Sequence, residues 1–161
     1  MAAKALLHKF LFIAAIGLLI SGCSDRGGVF DQSNEIENRN WNYSNKVRYD
    51  IKVDDPAATY SLFLNLRVSG DYKYSNIFVM VKISGPGLKT QATRYETRLA
   101  DPDGKWLGDG SGGLYSYQSP FNTNFHFPAK GVYHFEIEQN MRDNPLRGVS
   151  DVGLRVAKNG Q

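Results

Sequence analysis

From Val47 onward the apolar positions recur every second residue. In "VRYDIKV", Val47, Tyr49, Ile51 and Val53 share one face, and Arg48, Asp50 and Lys52 take the other. Successive side chains of a strand point to opposite faces, so this alternation predicts a half-buried strand. "LFLNLRV" sets Leu62, Leu64, Leu66 and Val68 inward, and "IFVMVKI" does the same with Ile77, Val79, Val81 and Ile83. Phe78 and Met80 fall on the opposite face of that strand, which predicts cover on both sides. "TRYETRL" alternates less clearly. "VYHFEIEQ" opposes Tyr133, Phe135 and Ile137 to His134, Glu136 and Glu138, and "DVGLRVA" adds Val152, Leu154 and Val156. Turn-forming stretches separate the runs: "DDPAA", "SGDYKYSN", "SGPG", "DPDGKWLGDGSGG", "PAKG" and "DNPLRG". No stretch carries a long helical period. Short strands between Gly- and Pro-rich turns predict an all-β domain over residues 41–161. The expected architecture is an antiparallel β-sandwich, with immunoglobulin-like and jelly-roll-like connections both open.

The first residues break the pattern. Lys4 and Lys9 precede an unbroken apolar run from Phe10 to Ile20, and small residues Ser21 and Gly22 lead to Cys23. This is the layout of a signal peptide over residues 1–22, too short to span a bilayer. Ile20-Ser21-Gly22-Cys23 resembles the bacterial lipobox. That resemblance implies cleavage before Cys23, a diacylglycerol on its sulfur and an acyl chain such as palmitate on the new amino group. Each buried CH₂ contributes about 0.8 kcal/mol to anchoring. Cys23 is the chain's one cysteine, so an internal disulfide is excluded. Residues 23–40, "CSDRGGVFDQSNEIENRN", are polar and read as a tether between lipid and domain.

Charge narrows the partners. Nineteen basic residues against 16 acidic ones give a net +3, and the signal contributes Lys4 and Lys9 with no acid. No basic stripe points to nucleic acid. His8 lies in the signal, and His126 and His134 lie in strand-like segments without metal-ligand spacing. No Gly-x-Ser-x-Gly elbow is present. Glu136 and Glu138 share the wet side of one strand, whereas paired-carboxylate hydrolysis needs two carboxyls facing across a cleft. Asp101, Asp103 and Asp109 sit in a glycine-rich loop as candidate Ca²⁺ ligands, but the ligand pattern is incomplete and Asp-Pro-Asp-Gly is also a turn sequence. Neither an enzyme, nor a cofactor beyond the lipid, nor a small-molecule substrate is expected.

Large side chains in the loops remain. Trp106 and Leu107 interrupt turn residues, and either fold back onto the core or meet a partner. Tyr72 and Tyr74 occupy a second loop, and Tyr115, Tyr117 and Phe121 follow in "YSYQSPF". Such amphipathic aromatics serve protein recognition and also stack on sugars. Tyr72, Tyr74, Trp106, Leu107 and Tyr115 are the candidate partner-binding residues.

Four blocks, in order, resemble one family: "WNY" at Trp41 to Tyr43, "LFLNLRVSGDYKYSNIFV", "LADPDGKWLGDGSGGLY" and "FEIEQNMRDNPLRGVSDVGLRV". They are similar to the gliding-motility lipoprotein GldH family of Bacteroidetes-type bacteria. The resemblance implies a non-enzymatic envelope lipoprotein that binds other gliding or type IX secretion proteins. It also implies a lipid anchor in a membrane, with the periplasmic side of the outer membrane expected. It supplies no catalytic residues. A lipid-anchored glycan-binding module is the alternative, with Trp106 and the loop tyrosines as its stacking platform.

Overall fold

The computed structural model describes residues 28–160, all but one short turn of whose regular structure is β. Eleven strands follow in order: β1 (Gly28–Glu35), β2 (Asn40–Trp41), β3 (Val47–Val53), β4 (Tyr60–Ser69), β5 (Asn76–Gly85) and β6 (Leu88–Arg98). Then come β7 (Asp109–Ser111), β8 (Leu114–Phe125), β9 (Gly131–Gln139), β10 (Leu146–Arg147) and β11 (Val149–Lys158). One sheet runs β1-β11-β4-β8-β7 and the facing sheet β3-β9-β5-β6, with the short β10-β2 pair beside them. Every pairing is antiparallel. The expected antiparallel sandwich is therefore present.

Alternation fills the space between the sheets. Leu62, Leu64, Leu66 and Val68 of β4 and Val152, Leu154 and Val156 of β11 are buried against Val47, Tyr49, Ile51 and Val53 of β3. Ile77, Val79, Val81 and Ile83 of β5 and Tyr133, Phe135 and Ile137 of β9 complete that interior. Fully burying each such side chain stabilises the fold by about 1.5–3 kcal/mol. Ring contacts bridge the sheets at both margins: Phe30 meets Tyr49 edge-on at 5.3 Å, and Phe121 meets Tyr95 at 4.9 Å. No buried side-chain polar atom lacks a partner among the described residues.

The domain begins earlier than the expected boundary at Trp41. Residues 28–35 are strand β1, paired along its length with β11 from Gly28↔Ala157 to Glu35↔Asp151. Ile36 follows, fully buried, with its N–H donating to the Ser150 carbonyl at 2.8 Å. Within the predicted tether, residues 28–40 thus belong to the sandwich. Burial along β1 is nearly absent, which is why its residues carry no apolar period.

Pairing also fixes the two ends. Gly28, the β3–β4 loop (54–59), the β5–β6 turn and the β8–β9 loop (126–130) lie at one end. The opposite end carries the segments 36–46, 70–75, 99–113 and 140–148. Trp41 closes this second end, fully buried, with its indole N–H donating to the Asn45 carbonyl at 2.7 Å.

Two tests follow. Ile36→Ala is expected to cost about 2–5 kcal/mol, and a chain starting at Trp41 is expected to melt well below one starting at Gly28. Thermal melts followed by circular dichroism measure both. Equal melting of the two chains would make β1 dispensable.

The second test is alkaline. The Tyr49 hydroxyl donates to the Val152 carbonyl at 2.8 Å across the sandwich, and burial pushes its pKa up to about 12 from 10.0. Burial also raises Tyr60, Tyr72 and Tyr117. Unfolded tyrosines lose their protons from about pH 10, while the folded ones hold them. This contribution to stability is complete below that pH and is lost as pH rises through about 12. The melting temperature should fall above about pH 10, and more gently in Tyr49→Phe.

Candidate interaction surface

The five loop residues singled out from sequence all come to the end opposite Gly28, but in different environments. Tyr72 is a core residue. It is 5% exposed, and its hydroxyl donates to the Asn76 carbonyl at 3.1 Å. The chain folds back after β4, where the Tyr72 N–H donates to the Ser69 carbonyl. Gly148, at φ +87°, leaves room for Tyr72; a Cβ there would lie 3.1 Å from its backbone. Tyr72 is thus corrected from surface contact to interior. Tyr74 stays half-buried and meets Tyr72 edge-on at 6.0 Å.

The "ADPDGKWLGDGSGGLY" segment is two tight turns. Ala100 and Trp106 pair across the first, whose tip is held by Asp101. The Asp101 carboxylate accepts from the N–H groups of Asp103 and Lys105 at 3.0 and 2.8 Å. That bonding is a turn's own chemistry. No group of three or more His, Cys, Asp or Glu among the described residues could hold a metal ion. The second turn joins β7 to β8 through Gly112 and Gly113, both at positive φ, as a two-residue hairpin turn requires.

Trp106 is half-buried, stacked on Tyr115 at 5.2 Å, and both rings rest against the core. One face of the expected stacking platform for sugars is therefore already covered. Leu107 beside it is 55% exposed.

Other groups weighed from sequence have structural roles. Glu136 is held by Lys46 at 3.0 Å and Arg48 at 2.9 Å, and Glu138 by Lys46 at 2.7 Å. The Lys46 hydrogen bond, the largest effect, outweighs desolvation and, with a weaker contribution from Arg48, holds the Glu136 carboxyl below its usual range. The two glutamates share one outer sheet face. His134 lies 2.6 Å from Asp50, and His126 3.1 Å from Thr59, both exposed. No helix among the described residues is long and apolar enough to cross a membrane.

Sequence reading missed the hollows beside Tyr74. One, of about 360 Å³, is lined by Tyr74, Phe78, Arg94, Asn140, Met141 and Arg142. The next, of about 530 Å³, shares Tyr74 and Arg142 and continues past Lys73, Asp143 and Pro145 to Arg147. The signal for the first was the outward phase of Phe78 in β5. The cover expected on that face is Arg94, 3.8 Å over the Phe78 ring, and Met141, whose sulfur accepts from the Phe78 N–H.

The 140–144 loop is tied from two sides. Gln139 is buried; its amide donates to the Asp143 carbonyl and accepts from the Met141 N–H, at 2.9 and 2.8 Å. Tyr43 donates its hydroxyl to the Met141 carbonyl at 2.6 Å, and its N–H to the Asn144 side chain at 2.9 Å. Asp143 is bound by Lys73 at 3.3 Å; hydrogen bonds from Tyr74 and Lys73 lower its carboxyl pKa.

Among the described residues the side chains weighed for chemistry are held in turns, ion pairs and the core. A family model described as GldH lipoprotein matches residues 28–156, beginning at the first residue of β1. The chain belongs to the GldH lipoprotein family. A "Gliding motility lipoprotein GldH homolog" of Christiangramia forsetii is 33% identical over 156 residues, covering 92% of this chain and 94% of that protein. The "Gliding motility lipoprotein GldH" of Flavobacterium johnsoniae is 31% identical over 153 residues, covering 91% and 92%. Membership in the GldH family makes this a non-enzymatic, lipid-anchored cell-envelope protein linked to gliding motility and its secretion machinery. Cys23, the anchor residue expected from sequence, lies outside the described residues.

The Asp101 bonding yields a test. Chelator should leave the melting temperature unchanged, because that carboxylate already serves two N–H groups. Asp101→Ala should cost about 1 kcal/mol. A rise of several degrees on adding calcium would make the loop a cation site.

Proposed function

We propose that this protein is a protein-binding component of a gliding or secretion assembly, acylated at Cys23 and held on the periplasmic side of the outer membrane. In this reading its contact surface is the end of the sandwich carrying Tyr74, Leu107, Met141 and Arg142. The supporting observation is the position of Gly28. Gly28 is the fifth residue after Cys23, a covalent reach of at most about 17 Å. The opposite end stands a full strand length away, roughly 30 Å for ten residues. A sandwich so tethered keeps its 54–59 and 126–130 loops nearest the lipid and offers the other end to partners. Exposed Leu107 and the half-buried Trp106–Tyr115 stack then belong to the presented end.

Fatty-acid labelling should follow Cys23, so Cys23→Ala should lose both label and membrane partitioning; an unlabelled wild type would end the lipoprotein assignment of this residue. For the orientation, a photo-crosslinking residue at Leu107 should trap a defined envelope protein in living cells. The same residue at Val132, exposed at the opposite end, should trap none. The reverse pattern would place the contact surface at the wrong end.

A further inference from the structure

Among the described residues Arg48, Arg67 and Arg155 are ion-paired, whereas Arg39, Arg94, Arg98, Arg142 and Arg147 have no carboxylate partner. All five belong to the half of the domain away from Gly28, and Arg94 among them stacks over the Phe78 ring. Arg94, Arg142 and Arg147 line the joined hollows beside Tyr74. Their acidic neighbours do not balance them. Asp143 is taken by Lys73. Asp71 also lines the groove as an anion, so Lys73, Arg94, Arg142 and Arg147 face two carboxylates and the lining stays net positive.

The floor of the groove is apolar where Arg94 and Arg142 meet. Phe78, Met141 and Tyr74 line a space of about 360 Å³, and an unbranched thioether adapts to varied shapes. The walls are preset by the Gln139 and Tyr43 hydrogen bonds that tie the 140–144 loop. Little ordering is left for a ligand to impose, which favours binding.

We propose that this groove binds an extended acidic polypeptide segment bearing one large apolar side chain. The apolar group packs into the hollow lined by Tyr74, Met141 and the Arg94-covered Phe78, and flanking carboxylates meet Arg94, Arg142 and Arg147. A guanidinium presents a planar fork that matches a carboxylate with two parallel hydrogen bonds. A polymer carrying only phosphates would leave the apolar floor unfilled. The anchoring bilayer is excluded by the distance of this end from Gly28, an argument that rests on the Cys23 reading above. The segment belongs to the partner of the proposed assembly and names its chemistry.

Fluorescence anisotropy with the lipidated mature protein in detergent micelles tests this. The probe is a labelled acidic heptapeptide of Asp and Glu with a central Phe. Saturable binding is expected at about 0.05 M salt and should weaken at least about tenfold near 0.5 M. Arg94→Glu and Arg142→Glu should each weaken it at least about tenfold, with melting temperatures near wild type because both side chains are exposed. Replacing the peptide's Phe by Gly should weaken it similarly. Lys82→Glu, an exposed cation outside the groove, should change little. No saturable binding, or binding indifferent to Arg94→Glu and Arg142→Glu, overturns the proposal. So does arginine-dependent binding to phosphatidylglycerol vesicles that the peptide does not displace. The peptide measurement needs no membrane, so a failure of Cys23 acylation, read by fatty-acid labelling, is distinguishable from a failure of the groove.

Discussion

The fold depends on keeping water out from between two sheets whose strands are only half apolar. Each strand can satisfy this only in one register, because a slip of one residue would turn Leu64 or Val81 outward and Asn65 or Lys82 inward. The margins and ends need separate seals. Phe30–Tyr49 and Phe121–Tyr95 close the sides, Trp41 closes one end, and Phe127 and Tyr133 close the other at 4.6 Å. Polar groups are admitted only with partners, as Gln139 and Tyr49 are.

Those seals decide which large side chains remain for recognition. Aromatic character alone does not mark a contact residue here: Tyr72 and Trp41 are spent on the interior, and Trp106 is shared between the interior and Tyr115. What the end opposite Gly28 displays is a mixture of half-covered apolar groups and arginines on a loop fixed by hydrogen bonds. That mixture resembles the anchor residues of protein interfaces more than the aromatic platforms used for sugars.

The inward faces of β3, β4, β5, β9 and β11 were legible in the sequence, since a strand buried on one face writes its orientation in every second residue. β1 was not. Both faces of this edge strand are largely exposed, and its evidence is a ladder to a strand more than a hundred residues away. Strand order was equally hidden, because the long pairings β4–β8, β4–β11 and β3–β9 join distant segments whose turns say nothing about partners. The groove escaped for the same reason. Phe78, Arg94 and Arg142 come from β5, β6 and the loop after β9, and no local spacing links them.

The ladder between β1 and β11 also sets an order of events. The first strand of the domain has a single partner, and that partner is the last strand. In a chain delivered from its N-terminus, β1 stays unpaired until the ten residues of β11 have followed it. Contacts of such long sequence separation form slowly. The β1 edge of the sandwich therefore closes last, after every other strand of the domain has been delivered.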